Sequence, residues 1–216
     1  MGRLAGEVRE ASLFLNTESP LFFDIGANDG DYTQEVLSKY PAAKVFAFEP
    51  DDEREIFKTN DSRVVLSNVA LSSDEAPRKL HKPRGLHSQN AFHLRPHFGE
   101  YSVSIVDCEC TTVDSFVITN GVTSIDFMKI DTEGHEVDVL LGAKDSLQKR
   151  VIKAGSFEYG GTWLETGKKF SDALSLLRSF DYRVFTIEGD KKVEMDERFV
   201  DNWNYFNFYF SRISVE

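Results

Sequence analysis

The sequence predicts one α/β domain built around a mostly parallel, doubly wound sheet. Short apolar runs alternate with amphipathic segments along its 216 residues. That order demands right-handed crossovers, with helices on both faces of the sheet. The runs LFFDI, KVFAF and IDFMKI are nearly continuous in apolar residues, as parallel strands covered on both sides must be. No repeat, low-complexity tract or linker divides the chain, so a single domain over 1–216 is expected.

Each element has its own signal. Leu21–Ile25 is a buried strand that enters a turn at Gly26. Tyr32, Val36, Leu37 and Tyr40 stand at helical spacing over 32–40, and Pro41 stops the helix. A second strand covers 44–49, and Pro50-Asp51-Asp52 opens an acidic, helix-like stretch, since acids favour a first helical turn. A third strand is read over 64–71 and a fourth over 124–130, followed by a helix at Glu136–Leu141. The fifth strand is 153–159, a helix covers 171–180, and the sixth strand is 182–187. Gly189-Asp190 makes a hairpin into 191–194, and 205–211 is the seventh strand. The first twenty residues are expected to form a helical cap on the sheet edge around 4–15, with a dimerising helix as the alternative and the oligomeric state open.

Composition narrows the functional classes. A net charge of −11 disfavours non-specific binding to nucleic acid or anionic membrane. No stretch approaches the ~18 apolar residues of a membrane helix, and the charged N-terminus lacks an apolar signal region, so a soluble, cytoplasmic protein is expected. Cys108 and Cys110 stand two apart on one strand face, too close for an easy bridge, and read as reduced thiols.

The segment Asp24-Ile25-Gly26-Ala27-Asn28-Asp29-Gly30 lies between a buried strand and a helix, where doubly wound folds bind ligands. A dinucleotide site wants G-x-G-x-x-G against a pyrophosphate. This loop has one acid before G-x-x-x-G and another within it, and both would repel phosphate. Glu49, at the end of the second strand, is placed to accept from two ribose hydroxyls. A ribose with a cationic amino acid and no phosphate describes S-adenosylmethionine. Farther along, Ile130-Asp131-Thr132-Glu133-Gly134-His135-Glu136 ends the fourth strand, and Phe157-Glu158-Tyr159 ends the fifth. Asp24, Asp131 and Glu158 therefore share three adjacent strand ends. Burying several carboxylates together costs stability unless a cation joins them, so this clustering points to a site.

FDIGANDG, FAFEPD, NVALSS, KIDTEGHE and FEY, in this order, resemble the FkbM-type methyltransferases, a branch of the class I S-adenosylmethionine-dependent enzymes. The resemblance runs from about Phe22 to Ile187. It implies a Rossmann-like, seven-stranded sheet in the order 3-2-1-4-5-7-6 with strand 7 antiparallel. It also implies O-methylation of a sugar, glycan or natural-product hydroxyl. Carried over by position, Asp24, Gly26, Ala27, Asn28 and Gly30 hold the methionine end of the cofactor and Glu49 the ribose. Asn68 and Ala70 fall at the adenine edge, and Asp131 at the cofactor amino group or the acceptor. Asp131, Glu133, His135 and Glu158 are the candidate catalytic residues, with His135 or Glu158 taking the acceptor proton. No metal is the expectation; the alternative has Asp131, Glu133 and Glu158 ligating a divalent ion such as magnesium.

Between the third and fourth strands, 76–100 is a basic insertion. From Ala76 to Gly99 it holds Arg78, Lys79, Lys82, Arg84 and Arg95 with no acid, together with four of the five histidines. It reads as a loop or irregular hairpin that covers the acceptor site. Arg84, His87, Ser88, Asn90 and Arg95 would hold an anionic small-molecule or glycan substrate there. A ribose 2′-hydroxyl of an RNA or its cap is the alternative acceptor, and a nucleotide-binding Rossmann protein without methyl transfer the alternative class.

Overall fold

The computed structural model describes residues 3–212. Five strands run parallel: β1 (Leu21–Ile25), β2 (Lys44–Phe48), β3 (Val64–Ser67), β8 (Phe127–Ile130) and β9 (Ala154–Tyr159). Beyond β9, β12 (Phe206–Arg212) inserts antiparallel between β9 and β10 (Tyr182–Glu188), and β10 turns through a hairpin into β11 (Lys191–Glu194). The sheet order is β11-β10-β12-β9-β8-β1-β2-β3. This is the expected 3-2-1-4-5-7-6 arrangement with one hairpin strand added at its edge.

Side chains alternate across the sheet with the two-residue period of strands. Phe23, Ile25, Met128, Ile130 and Phe157 face one way. There they meet α3 (Val113–Thr119), α4 (Glu136–Leu141), α5 (Lys144–Gln148), α6 (Gly161–Glu165) and α7 (Phe170–Arg178). Phe22, Val45, Ala47 and Phe127 face the other way, under α1 (Arg3–Ala11) and α2 (Asp31–Lys39). The N-terminal segment thus caps a face of the sheet rather than its edge: Val8 and Ala11 are buried in that layer, and Phe14 stacks on Tyr209 at 5.5 Å. No helix among the described residues is long and apolar enough to cross a membrane.

Two expected elements differ. The acidic stretch after β2 forms turns and a short 3-10 helix at Glu55–Lys58. Its acids bind backbone and neighbours instead of opening an α-helix: Asp51 Oδ1 accepts from Glu53 N, and Asp51 Oδ2 holds Arg54 Nε at 2.9 Å. The third strand breaks after Ser67, because Asn68 Nδ2 donates back to the carbonyls of Glu49 and Pro50. The remainder forms β4 (Ala70–Leu71), which pairs with β7 (Cys110–Thr111) in a separate small sheet. The basic insertion lies within an antiparallel hairpin of β5 (Arg78–Pro83) and β6 (Val103–Cys108). Both cysteines are free and buried.

Candidate active site

The loop after β1 is forced into contact with the loop after β8. Gly26 has φ +79°, and a Cβ there would stand 1.9 Å from the Asp131 carbonyl oxygen, so only glycine fits. Gly26 N and Ala27 N both donate to Phe48 O at 3.0 Å, which ties the loop to β2. Asn28, also at positive φ, donates its N–H to Glu49 Oε2, and Asp51 N–H donates to Oε1, each at 2.9 Å. Burial pushes Glu49 up to about 7, against the pull of those two N–H groups. Gly30 (φ +87°) starts α2 against Ile56.

These loops form one wall of a cavity of about 790 Å³ at the carboxyl ends of the parallel strands. Gly26, Asn28 and Glu49 line it, with an apolar stretch from Ile25, Val69, Ala70, Leu71 and Leu80. His87, Ser88, Asn90 and Arg95 of the insertion, Asp131, Glu133, His135 and Glu158 of the strand ends, and Arg3 and Tyr205 complete it. The insertion is tied down over this space. Lys82 Nζ and Asn90 Nδ2 donate to Asp51 at 2.7 and 2.9 Å, and His93 Nε2 lies 2.8 Å from Glu165 Oε2.

Carboxylate oxygens of Asp131, Glu133 and Glu158 lie within 4.8 Å of one another. Each carboxylate has its own cation. Lys129 Nζ stands 3.2 Å from Asp131, Arg95 Nη1 donates to Glu133 at 2.8 Å, and Arg3 Nη2 donates to Glu158 at 2.6 Å. Burial, then the Asp131 charge, pushes Glu133 up to about 7 and Glu158 up to about 8, and the arginines only partly oppose this. The bend that presents Glu133 (φ +54°) and Gly134 (φ +99°) is held from beneath by Glu136, which accepts from Thr132 N at 2.8 Å and Gly134 N at 3.1 Å.

The remaining predicted residues are placed otherwise. Asp24 is fully buried beneath the loop and outside the cavity lining, because the strand alternation turns it towards α2. It accepts from Thr33 Oγ1 at 2.6 Å and stands 3.7 Å from Lys129, its partner in register. Ala27, Gly30 and Asn68 are absent from the lining, Asn68 stapling the Glu49–Pro50 turn, whereas Ala70 belongs to it. His135 contacts Ser72 Oγ through Nε2 at 3.0 Å, and Phe92 packs edge-on against its ring; burial lowers its pKa to about 4. It is therefore neutral and only weakly basic. Arg84, at the exposed turn after β5, lines no part of the cavity.

The expected positive patch is largely neutralised, since acids outside the insertion, most of them remote in sequence, meet its cations in space. Arg78 pairs with Asp74, Lys79 with Asp107, Lys82 with Asp51 and Glu53, and Arg95 with Glu133. Among the described residues only Arg84 of the five lacks an ion pair. Sequence reasoning missed Arg3, Lys129, Glu136 and Tyr205. Lys129 had a signal, a lysine inside an otherwise apolar parallel strand two residues before Asp131.

The sequence model of the methyltransferase FkbM domain matches residues 24–184. The 2-O-methyltransferase NoeI of Sinorhizobium fredii (strain NBRC 101917 / NGR234) is 30% identical in an alignment 191 residues long that covers 80% of this chain and 77% of that protein. Among solved structures, the methyltransferase FkbM of Methylobacillus flagellatus KT aligns with a TM-score of 0.55 at 16% identity, over 92% of this chain; the alignment spans 45% of that longer chain. The fibrillarin pre-rRNA processing protein of Methanococcus jannaschii aligns at 0.53 and 10% identity, over 98% of this chain and 76% of its own. At these identities the two structures share the fold.

Proposed function

The chain belongs to the FkbM methyltransferase family, and on that premise we propose that it transfers a methyl group from S-adenosylmethionine to a hydroxyl of a sugar or glycan. The observation that carries this reading is the cavity's division of labour. A glycine-walled loop and a buried carboxylate, Glu49, stand on one side, and a carboxylate cluster in which burial raises Glu133 and Glu158 stands on the other. The loop residues that line the cavity, Gly26 and Asn28, bring no cation for a phosphate, so they suit a phosphate-free nucleoside. S-adenosylmethionine supplies an electrophilic methyl group on a sulfonium.

Glu49, fixed in place by the Asn28 N–H, holds the ribose, the apolar stretch around Ala70 and Leu80 takes the adenine, and Asp131 faces the amino group. Glu158 is the base. Its pKa near 8 lies closer to neutrality than that of His135, and a base is most effective near the operating pH. Glu133, held by Arg95, orients the acceptor hydroxyl beside it. The insertion closes the cavity against water.

A divalent ion on Asp131, Glu133 and Glu158 is the second reading, favoured by their 4.8 Å clustering. Against it, three cations already face these three groups. An RNA 2′-hydroxyl is poorly served by an insertion whose basic residues are paired.

Isothermal titration with S-adenosylhomocysteine tests the cofactor reading. Glu49→Ala is expected to weaken binding at least about tenfold, the cost of one lost charge-assisted hydrogen bond. Full affinity in that variant, or no binding by the wild type, refutes it. Methyl transfer that survives chelation with EDTA separates the base from the metal.

A further inference from the structure

Two neighbouring aromatic side chains, one of them in the cavity lining, are exposed although the fold builds a seat for each. Trp203 is 65% and Tyr205 53% exposed. Both lie on the connection between β11 and β12, and each ring rests on a glycine that follows β9. A Cβ at Gly160 would stand 2.5 Å from the Tyr205 ring, and one at Gly161 would stand 2.5 Å from the Trp203 ring. Two consecutive glycines thus leave room for two rings that then show their outer surface to solvent. Tyr205 lines the cavity together with Arg95 and Glu158, and Arg95 Nη2 donates to its hydroxyl at 3.4 Å. Trp203, on the adjoining glycine, extends that surface outward.

We propose that Trp203 and Tyr205 form a platform for a pyranose ring of the acceptor, a specificity element that rests on the methyl-transfer reading above. A pyranose has an apolar C–H face and a rim of hydroxyls, and this part of the cavity offers one partner for each. The exposed rings take the C–H face, as aromatic side chains with one apolar and one wet side do at interfaces. Glu158, Glu133 and Arg95 take the rim. An acyl chain or a plain aryl group would cover the rings but strip water from those polar groups and offer no hydrogen bond in its place, which costs binding. The seat also accounts for Gly160 and Gly161, which open α6 where a residue with higher helix propensity would otherwise serve.

The chain has two tryptophans, and they form a built-in contrast. Trp163 is fully buried, with its Nε1 donating to the Glu158 carbonyl at 3.0 Å, whereas Trp203 is exposed. Protein labelled with 5-fluorotryptophan should show two fluorine resonances, assigned with Trp203→Phe. Titration with chitotetraose, maltotetraose and cellotetraose, up to tens of millimolar, is expected to move the Trp203 resonance with at least one of them while Trp163 stays in place. Trp203→Ala and Gly161→Ala, the second displacing the ring without removing it, should each weaken that saccharide about fivefold or more. A Trp203 resonance that stays still with all three saccharides, one that answers only to n-octanol, or unchanged saccharide affinity in both variants overturns the platform. The readout needs no turnover. Saccharide binding without S-adenosylhomocysteine binding would sink the methyl-transfer reading and leave the platform standing; the reverse would sink the platform alone.

Discussion

The assignment of Glu158 as the base makes a prediction that can be worked from the geometry. A carboxylate base acts only when deprotonated, so kcat/KM should rise with pH along a limb near 8, the value to which burial and Asp131 push Glu158. Arg3 opposes that shift from 2.6 Å, but its side chain is 68% exposed, so solvent screens much of the attraction. An exposed ion pair contributes about 0.2–1 kcal/mol, and one pH unit is about 1.36 kcal/mol. Arg3→Met should therefore move the limb upward by about 0.2–0.7 unit, with little change in the plateau above it. Salt at about 1 M, where the Debye length is about 3 Å, should shift the wild type in the same direction and the variant much less. Glu158→Gln should remove the limb and lower kcat/KM about 10²–10⁴-fold. A limb that survives in Glu158→Gln, or one that stays put in Arg3→Met, refutes the assignment.

Four further outcomes follow from the same contacts. Gly26→Ala adds a Cβ 1.9 Å from the Asp131 carbonyl at positive φ, so S-adenosylhomocysteine binding should be lost, as read by titration alongside circular dichroism to confirm the fold. Lys129→Met strands the buried Asp24 beside Asp131 and should cost about 3–5 kcal/mol in urea unfolding, with part regained on adding Asp24→Asn. Glu158 has a raised folded pKa, so the stability it contributes is full below the unfolded carboxylate value of about 4.3 and is lost as pH rises through about 8. Glu158→Gln should therefore gain melting temperature over the wild type at pH 9 and gain almost nothing at pH 4. Finally, a cationic ligand favours charged carboxylates, so S-adenosylmethionine should release more protons near pH 7 than S-adenosylhomocysteine does, measured by calorimetry in buffers of different ionisation enthalpy.

The main sheet was readable because its buried parallel strands write their burial as nearly continuous apolar runs, and α2 writes its own as a 3.6-residue stripe. The third strand failed that test for a reason local periodicity does not carry: Asn68 binds two carbonyls nineteen and eighteen residues back and splits the strand. Helices α3, α5 and α6 were missed because five to seven residues hold too few turns to show a period. Within the site, Glu49, Asp131, Glu133 and Glu158 were legible because they end strands whose order the topology dictates. Asp24 was misplaced by the same logic applied one residue too early: it sits inside β1, and the pleat turns it away from the crevice. The pairing of the arginines with these acids could not be read. Pairing Arg3 with Glu158 spans 155 positions and Arg95 with Glu133 spans 38, distances at which sequence spacing says nothing.

Those long pairings explain how three carboxylates can share a buried space. Three adjacent acids without compensation would repel one another and lose their hydration, which few folds sustain. Here the compensation comes from three independent parts of the chain: β8 supplies Lys129, α1 supplies Arg3, and the insertion supplies Arg95. Their positions differ in kind. Lys129 is buried in the sheet, where the opposing effects of Asp131 and Asp24 outweigh burial and keep its pKa raised, so its charge is permanent. Arg3 is mostly exposed on a helix that lies over the cavity, and Arg95 belongs to the insertion, which meets the carboxylate cluster through side chains. The charge state of Glu158 and Glu133 therefore depends on the docking of two coverings. A residue meant to change its proton belongs beside a screened cation, and Glu158 stands beside Arg3, which is such a cation.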